Sequence, residues 1–152
     1  MNQPNTHCLM CERVALLLQE DEHPFLIHEF QHSIFVVCDY QFFRGYSVLL
    51  FKNHARELHE LEPIVLTGLF NELMIAGRAI NDTFQPWKMN YSCYGNVVPH
   101  IHWHLFPRYD SDPDREQVPW HHADKFEKHK IDEAAAQHLA TQIRSKLFFS
   151  HA

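Results

Sequence analysis

The segment Pro99-His100-Ile101-His102-Trp103-His104-Leu105-Phe106-Pro107 constrains the chain more than any other. Imidazoles alternate with apolar side chains, a period that an extended strand sorts into one histidine face and one apolar face. His100, His102 and His104 then share a side, while Ile101, Trp103 and Leu105 turn toward a core. The flanking prolines confine strand pairing to the residues between them. At roughly 3.3 Å per residue, adjacent histidines stand about 6.6 Å apart and the outer pair about 13 Å. Two of them can share one metal ion, but hardly all three. A row of imidazoles is better suited to successive roles around an extended anion. The alternative is a polar face wetted by solvent, or a partial metal site.

The other elements fall around this strand. Residues 25–38 read as two short strands, with Gln31, His32 and Ser33 at the turn and the β-branched run Ile34-Phe35-Val36-Val37 in the second. Residues 46–52 read as a third strand after Arg44-Gly45. Pro63 suits a first helical position, and Leu66, Leu69, Phe70, Leu73, Gly77 and Ile80 follow at helical spacing until Asn81 and Asp82. Residues 88–94 alternate like a strand, and Gly95-Asn96 makes a turn. Residues 110–115 are turn-rich, and 131–148 read as a C-terminal helix. Strands, one long helix and more strands predict an α+β fold on an antiparallel sheet of about five strands.

With 152 residues, the chain fits one domain with a sizeable core. No disordered or low-complexity tract interrupts it. A net charge of −6 gives little reason to expect a nucleic-acid backbone or an anionic membrane as partner, so bound phosphates need a small local site. No stretch approaches the roughly 20 apolar residues needed to span a bilayer. The polar start, residues 1–7, lacks the pattern of a secretion signal, which places the protein in a reducing cytoplasm. Its four cysteines are then expected as thiols or metal ligands rather than disulfides.

A histidine row brings nucleophilic chemistry within reach. A neutral imidazole can attack phosphorus if its other nitrogen is held as a donor, for instance to a backbone carbonyl. The middle residue, His102, is the natural nucleophile, because its neighbours can contact oxygens on both sides.

The run His100-Ile101-His102-Trp103-His104-Leu105-Phe106 resembles the signature of the histidine-triad (HIT) family. The likeness continues in Gly45, Phe51-Lys52-Asn53-His54, Asn90, Gly95-Asn96-Val97-Val98-Pro99 and Pro107-Arg108-Tyr109, covering about residues 8–109. It implies one HIT domain over residues 1–152 with an extension at 110–152, and a homodimer whose sheets join edge to edge. It implies His102 as nucleophile and His104 as the residue that binds phosphate oxygen and assists the leaving group. Asn90 is similar to the family's amide contact, although the following loop is one residue shorter. Asn96 stands where many members carry glutamine or a small polar residue. Asp39 resembles the residue that binds ribose hydroxyls, with an exposed turn aspartate as the alternative. One departure is plain: Tyr46 follows Gly45 where the family usually has histidine.

Cys8-Leu9-Met10-Cys11 is a C-x-x-C that could be simply reduced thiols, and redox catalysis is discounted because so few residues precede it. The resemblance implies instead a structural zinc held by Cys8, Cys11, His54 and His100, with His59 a less suitable substitute. Cys38 and Cys93 are expected in the core. Trp120-His121-His122 could cap the site, but a solvated tail is the expectation, and His7, His129 and His151 are scattered among charged or terminal residues. Tyr40, Phe42 and Phe43 could line a base pocket or a dimer edge, though core packing is expected.

The expected activity is hydrolysis of dinucleoside polyphosphates such as diadenosine tetraphosphate through a nucleotidyl-His102 intermediate. A nucleoside phosphoramidase uses the same nucleophile but expels an amine. A nucleotidyl transferase and a nucleotide-binding module that has lost catalysis complete the alternatives; binding of nucleic acid is disfavoured by the charge.

Overall fold

Period-two patterning places five strands in one antiparallel sheet: β1 (Leu26–Glu29), β2 (Ser33–Val37), β3 (Ser47–Phe51), β4 (Lys88–Ser92) and β5 (His102–Arg108), in the order β1-β2-β3-β5-β4. The helices are α1 (Leu9–Leu17), α2 (Pro63–Phe84) and α3 (Glu133–Arg144), with short 3₁₀ turns at Leu58–Glu60 and Pro119–His129. This is a computed structural model, and it describes residues 8–19 and 22–147. The expected features at residues 1–7, at His151 and at Phe148 lie outside the described residues.

The register explains the two faces. Val36 pairs with Val48, Val48 with His104 and His104 with Ser92, while Ile34 pairs with Leu50 and Leu50 with His102. On this face α1 sets Val14 and Leu17 against Ile34, Val36 and Leu50, and the 3₁₀ segment sets Phe126 beside Phe43, Tyr46 and Phe106. The opposite face carries Phe35, Val37, Leu49, Phe51 and Leu105 into the main core under α2 and α3. Full burial of such a side chain contributes roughly 1.5–3 kcal/mol, so the core face holds the sheet while the first face is left partly uncovered between α1 and Phe126.

Several boundaries differ from expectation. The last strand begins at His102, not His100, because Ile101 N–H turns away to the Ala55 carbonyl in the β3–α2 connection at 2.9 Å, while its carbonyl accepts from Phe51 N–H at the very end of β3 at 3.1 Å. It also runs through Pro107 to Arg108. Pairing with β3 ends at Ser47–Leu105, so Pro107 faces a neighbour on one side only, where a missing N–H is tolerated. Gly45 leads into β3 with φ +88°, a conformation that favours glycine.

Helix α2 does not stop at Asn81–Asp82. It continues to Phe84, which packs against the main core and under the Arg44 guanidinium, 5.2 Å away. Gln85 then closes it with φ 49°, ahead of Pro86. Phe70 is exposed, and the buried face carries Glu72 instead. That carboxylate accepts from Ser33 Oγ at 2.6 Å and from His32 N–H at 2.8 Å, which ties helix to sheet. Gly77 lets the Tyr91 ring lie against the helix, where a Cβ would collide with it. The expectation that no segment is long enough to cross a bilayer also needs correction. α2 has the length and composition for it, but it lies across the sheet as a core helix.

Candidate functional site

Because α1 and the 3₁₀ segment cover the two ends of the histidine face, a cleft remains between them. Its floor is Val36, Val48 and Leu50 with His102 and His104; Met10 and Arg13 of α1 form one wall, and Tyr46, Trp120 and Phe126 the other. This part holds about 270 Å³. A second hollow of about 490 Å³ opens across the same two histidines toward Tyr94, Asn96, Val97 and Val98. His102 and His104 therefore stand where the two meet.

His102 Nδ1 lies 2.6 Å from the His100 carbonyl oxygen, and a carbonyl can only accept, so Nδ1 carries the proton. In the neutral ring the lone pair then sits on Nε2. Only 8% of His102 is exposed, yet the ring lines both hollows. His104 follows at a ring separation of 4.9 Å. Its Nδ1 is 2.7 Å from Tyr46 Oη, and burial, with a smaller effect of His102, lowers its pKa from 6.5 to about 3. Burial likewise pushes the Tyr46 phenol well above its ordinary range. Both groups are neutral at ordinary pH.

The first histidine does something different. His100 Nε2 donates to the Phe51 carbonyl at 2.7 Å, which leaves Nδ1 unprotonated in the neutral ring. That nitrogen lies 3.5 Å from Cys8 Sγ and 3.5 Å from Cys11 Sγ, and His54 Nδ1 lies 3.4 Å from Cys11 Sγ. All four donor atoms fall within 4.8 Å of one another. A tetrahedral zinc with bonds of about 2.3 Å to sulfur and about 2.0–2.1 Å to nitrogen would space an S–N pair by about 3.5 Å. The set therefore fits that ion in both donor type and spacing. Burial lowers the His100 pKa, which favours the neutral, ligand-competent form.

The remaining sequence candidates are dispersed. Asp39 lines the smaller hollow and pairs with Arg13 at 3.5 Å. Asn96 lines the larger. Asn90 pairs with Phe106, one step beyond His104, and its Oδ1 accepts from Arg108 at 3.4 Å, so it borders a neighbouring cleft with Lys88 and Arg115. The residue directly opposite His104 is Ser92. Sequence reasoning passed over it, although the period of two that selects Asn90 selects Ser92 as well. Cys38 and Cys93 pack partly buried beside apolar clusters, and burial raises the Cys38 thiol to about 12.

The expected solvated tail is overturned. Trp120 sets its ring edge-on to His104 at 4.8 Å and donates Nε1–H to Ser92 Oγ at 3.3 Å. His122 is buried between Phe42 and Phe43. Phe42, Phe43, Trp120 and Phe126 form an aromatic group with Phe106, and burying those rings outweighs the solvation of a polar tail.

The pattern of the HIT domain family matches residues 19–111, and the chain belongs to that family. Protein hit of Bacillus subtilis is 23% identical over 146 residues, covering 93% of this chain and 94% of that protein. Among solved structures, a Hit-like protein from Bartonella henselae, described as involved in cell-cycle regulation, superposes with a TM-score of 0.73 at 14% identity. It covers 93% of this chain and 97% of its own. A zinc-bound histidine triad family protein from Mycobacterium smegmatis gives 0.65 at 20% identity, with 93% of each chain covered.

Proposed function

We propose that this protein is a nucleotide hydrolase that cleaves the α-phosphate bond of dinucleoside polyphosphates through a nucleotidyl-His102 intermediate. The observation that carries the reading is the 2.6 Å bond from His102 Nδ1 to the His100 carbonyl. It orients the ring and reserves Nε2 for attack, at the junction of two hollows. Nε2 bonds to the α-phosphorus, the bond from phosphorus to the bridging oxygen breaks, and that oxygen leaves with the electron pair on the departing nucleotide. Water then attacks phosphorus, the P–N bond breaks, its electrons return to Nε2, and the water proton passes to solvent. His104 donates to phosphoryl and leaving-group oxygens.

The smaller hollow, mostly apolar away from its two histidines and with Asp39 and Arg13 at one side, suits a nucleoside, with the Asp39 carboxylate as acceptor for ribose hydroxyls. Asn96 contacts the departing half in the larger hollow. Asn90 acts through Arg108 and the neighbouring cleft. Cys8, Cys11, His54 and His100 hold zinc, which when bound supplies a structural tie between α1 and the start of β5. A second copy joins along the free edge of β4, where Trp87, Tyr91 and the Phe70, Met74 and Ile75 side of α2 stand exposed. The zinc-bound relative supports the metal reading.

A phosphoramidate would form the same intermediate and expel an amine. Mass spectrometry after brief incubation with diadenosine tetraphosphate and with adenosine phosphoramidate tests the mechanism. An adenylyl adduct on the wild-type chain, absent from His102→Ala, supports it; an adduct that persists in His102→Ala, or none with any nucleotide, refutes it.

A further inference from the structure

We propose that Tyr46 is a positioning residue that holds His104 as its Nε2–H tautomer, and that it thereby selects leaving groups that depart as phosphate anions over those that depart as amines. This rests on the hydrolase reading and narrows its substrate class.

The hydroxyl of Tyr46 and Nδ1 of His104 are 2.7 Å apart. Tyr46 is 3% exposed and stacked on Phe106 with ring centroids 4.0 Å apart, so the phenol has little freedom to turn away. Among the described residues, the side-chain hydrogen-bond partner of this hydroxyl is His104 Nδ1. An imidazole nitrogen is a strong acceptor, so the single O–H goes to Nδ1. The donation runs from Tyr46 to His104. With Nδ1 occupied as an acceptor, the ring's one proton lies on Nε2. Trp120 on the edge of His104, Phe106 stacked at 6.0 Å and the His102 ring at 4.9 Å provide no anionic counter-charge for an imidazolium. Burial acts in the same sense on His104.

A ring in that state is a hydrogen-bond donor but a poor acid, since releasing its only proton would leave an imidazolate. The two leaving-group classes then separate. When His102 Nε2 bonds to phosphorus in an anhydride, the bridging oxygen takes the electron pair and departs as part of a phosphate anion, which needs only a hydrogen bond. When the broken bond is P–N, the nitrogen must gain a proton as it takes the pair, and neutral His104 does not supply it. General acid catalysis typically contributes about 10²–10⁴-fold, which is the advantage the amine substrate forgoes.

The experiment compares kcat/KM for diadenosine tetraphosphate and adenosine phosphoramidate in the wild type, Tyr46→Phe and Tyr46→His. Alongside it, long-range ¹H–¹⁵N spectra of the substrate-free wild type assign the His104 tautomer. The anhydride should lead by at least about 10²-fold in the wild type. Tyr46→Phe keeps the ring stack and frees Nδ1 for a proton. Tyr46→His introduces a group that can pass one on. Each should reduce that ratio by roughly tenfold or more, a change that loss of stability alone would not produce. A protonated Nδ1 on His104 in the wild type, or an unchanged ratio in the folded variants, overturns the proposal. Lack of any His102 adduct strikes the hydrolase reading instead, and the tautomer assignment, which needs no substrate, is read separately.

Discussion

If the Cys8–Cys11–His54–His100 cluster holds zinc as proposed, its removal should loosen α1 and spare the sheet. The helix has Cys8 as its N-cap with no side-chain capping bond, and it buries only Val14 and Leu17. Two such side chains contribute about 3–6 kcal/mol, modest for a nine-residue element. A ligand present at about a thousandfold over its dissociation constant adds about 4 kcal/mol of linkage, the same scale as that contact. The opening equilibrium of α1 should therefore shift by up to about 10³-fold on chelation. The strands, held by the core under α2 and α3, should keep their protection. Hydrogen exchange followed by mass spectrometry, with and without a chelator, reads the difference by segment. Metal release should also enlarge the cleft, because Met10 and Arg13 are carried on α1. If peptides spanning Leu9–Leu17 exchange equally slowly once metal analysis shows full removal, the tie has no mechanical role and the argument fails.

Other outcomes follow from single groups. His104 has its folded-state pKa depressed, so below its ordinary 6.5 the unfolded chain binds a proton that the folded chain refuses. Stability attributable to it is complete above 6.5 and is lost as pH falls toward about 3; denaturant titrations of His104→Gln should show a shallower decline over that window. Glu72→Leu leaves the buried Ser33 Oγ and the part-buried His32 N–H without their acceptor. At about 1–3 kcal/mol for the buried orphan and less for the part-buried one, the loss should be at least about 1–3 kcal/mol, with Glu72→Gln less damaging, and a loss near zero in chemical denaturation would contradict that assignment. Trp120→Ala removes one wall of both hollows, and steady-state kinetics should show KM rising roughly fivefold, equivalent to about 1 kcal/mol of aromatic contact. An unchanged KM in the folded variant would place Trp120 outside the binding surface.

What the sequence makes legible is what depends on local period. The alternation in residues 100–106 and the helical spacing after Pro63 yield the α+β fold with its antiparallel sheet, because faces of strands and helices follow from the nearest neighbours in the chain. The candidate cluster of two cysteines and two histidines draws on three distant segments, and only the family resemblance suggests it. Other features depend on partners far along the chain. Nothing near Pro119 reveals that Trp120 would find an aromatic group built from Phe43, Tyr46 and Phe106, so its neighbourhood read as solvated. Asn90 and Ser92 are indistinguishable by alternation, and only the register with β5 sets Ser92 opposite His104. Glu72 looks like a break in an apolar stripe until Ser33 and His32 supply its donors.

The strand boundary at His102 carries a consequence for how the three histidines divide their work. Had His100 continued the ladder, its carbonyl would have been committed to a neighbouring strand. Because the backbone leaves the ladder there, that carbonyl is free to accept from His102 Nδ1, while the ring of the same residue turns its own Nδ1 to the two cysteines. One residue thus orients the His102 ring through its main chain and turns a ring nitrogen to the cysteine pair through its side chain. This division resolves the spacing problem posed by a row of imidazoles about 6.6 Å apart. They need not share an ion or a phosphate: the first faces the cysteine pair, and on the proposed mechanism the second serves the phosphorus and the third, held by Tyr46, the departing oxygen. Separate partners for each ring, rather than a common one, are what the alternating pattern makes room for.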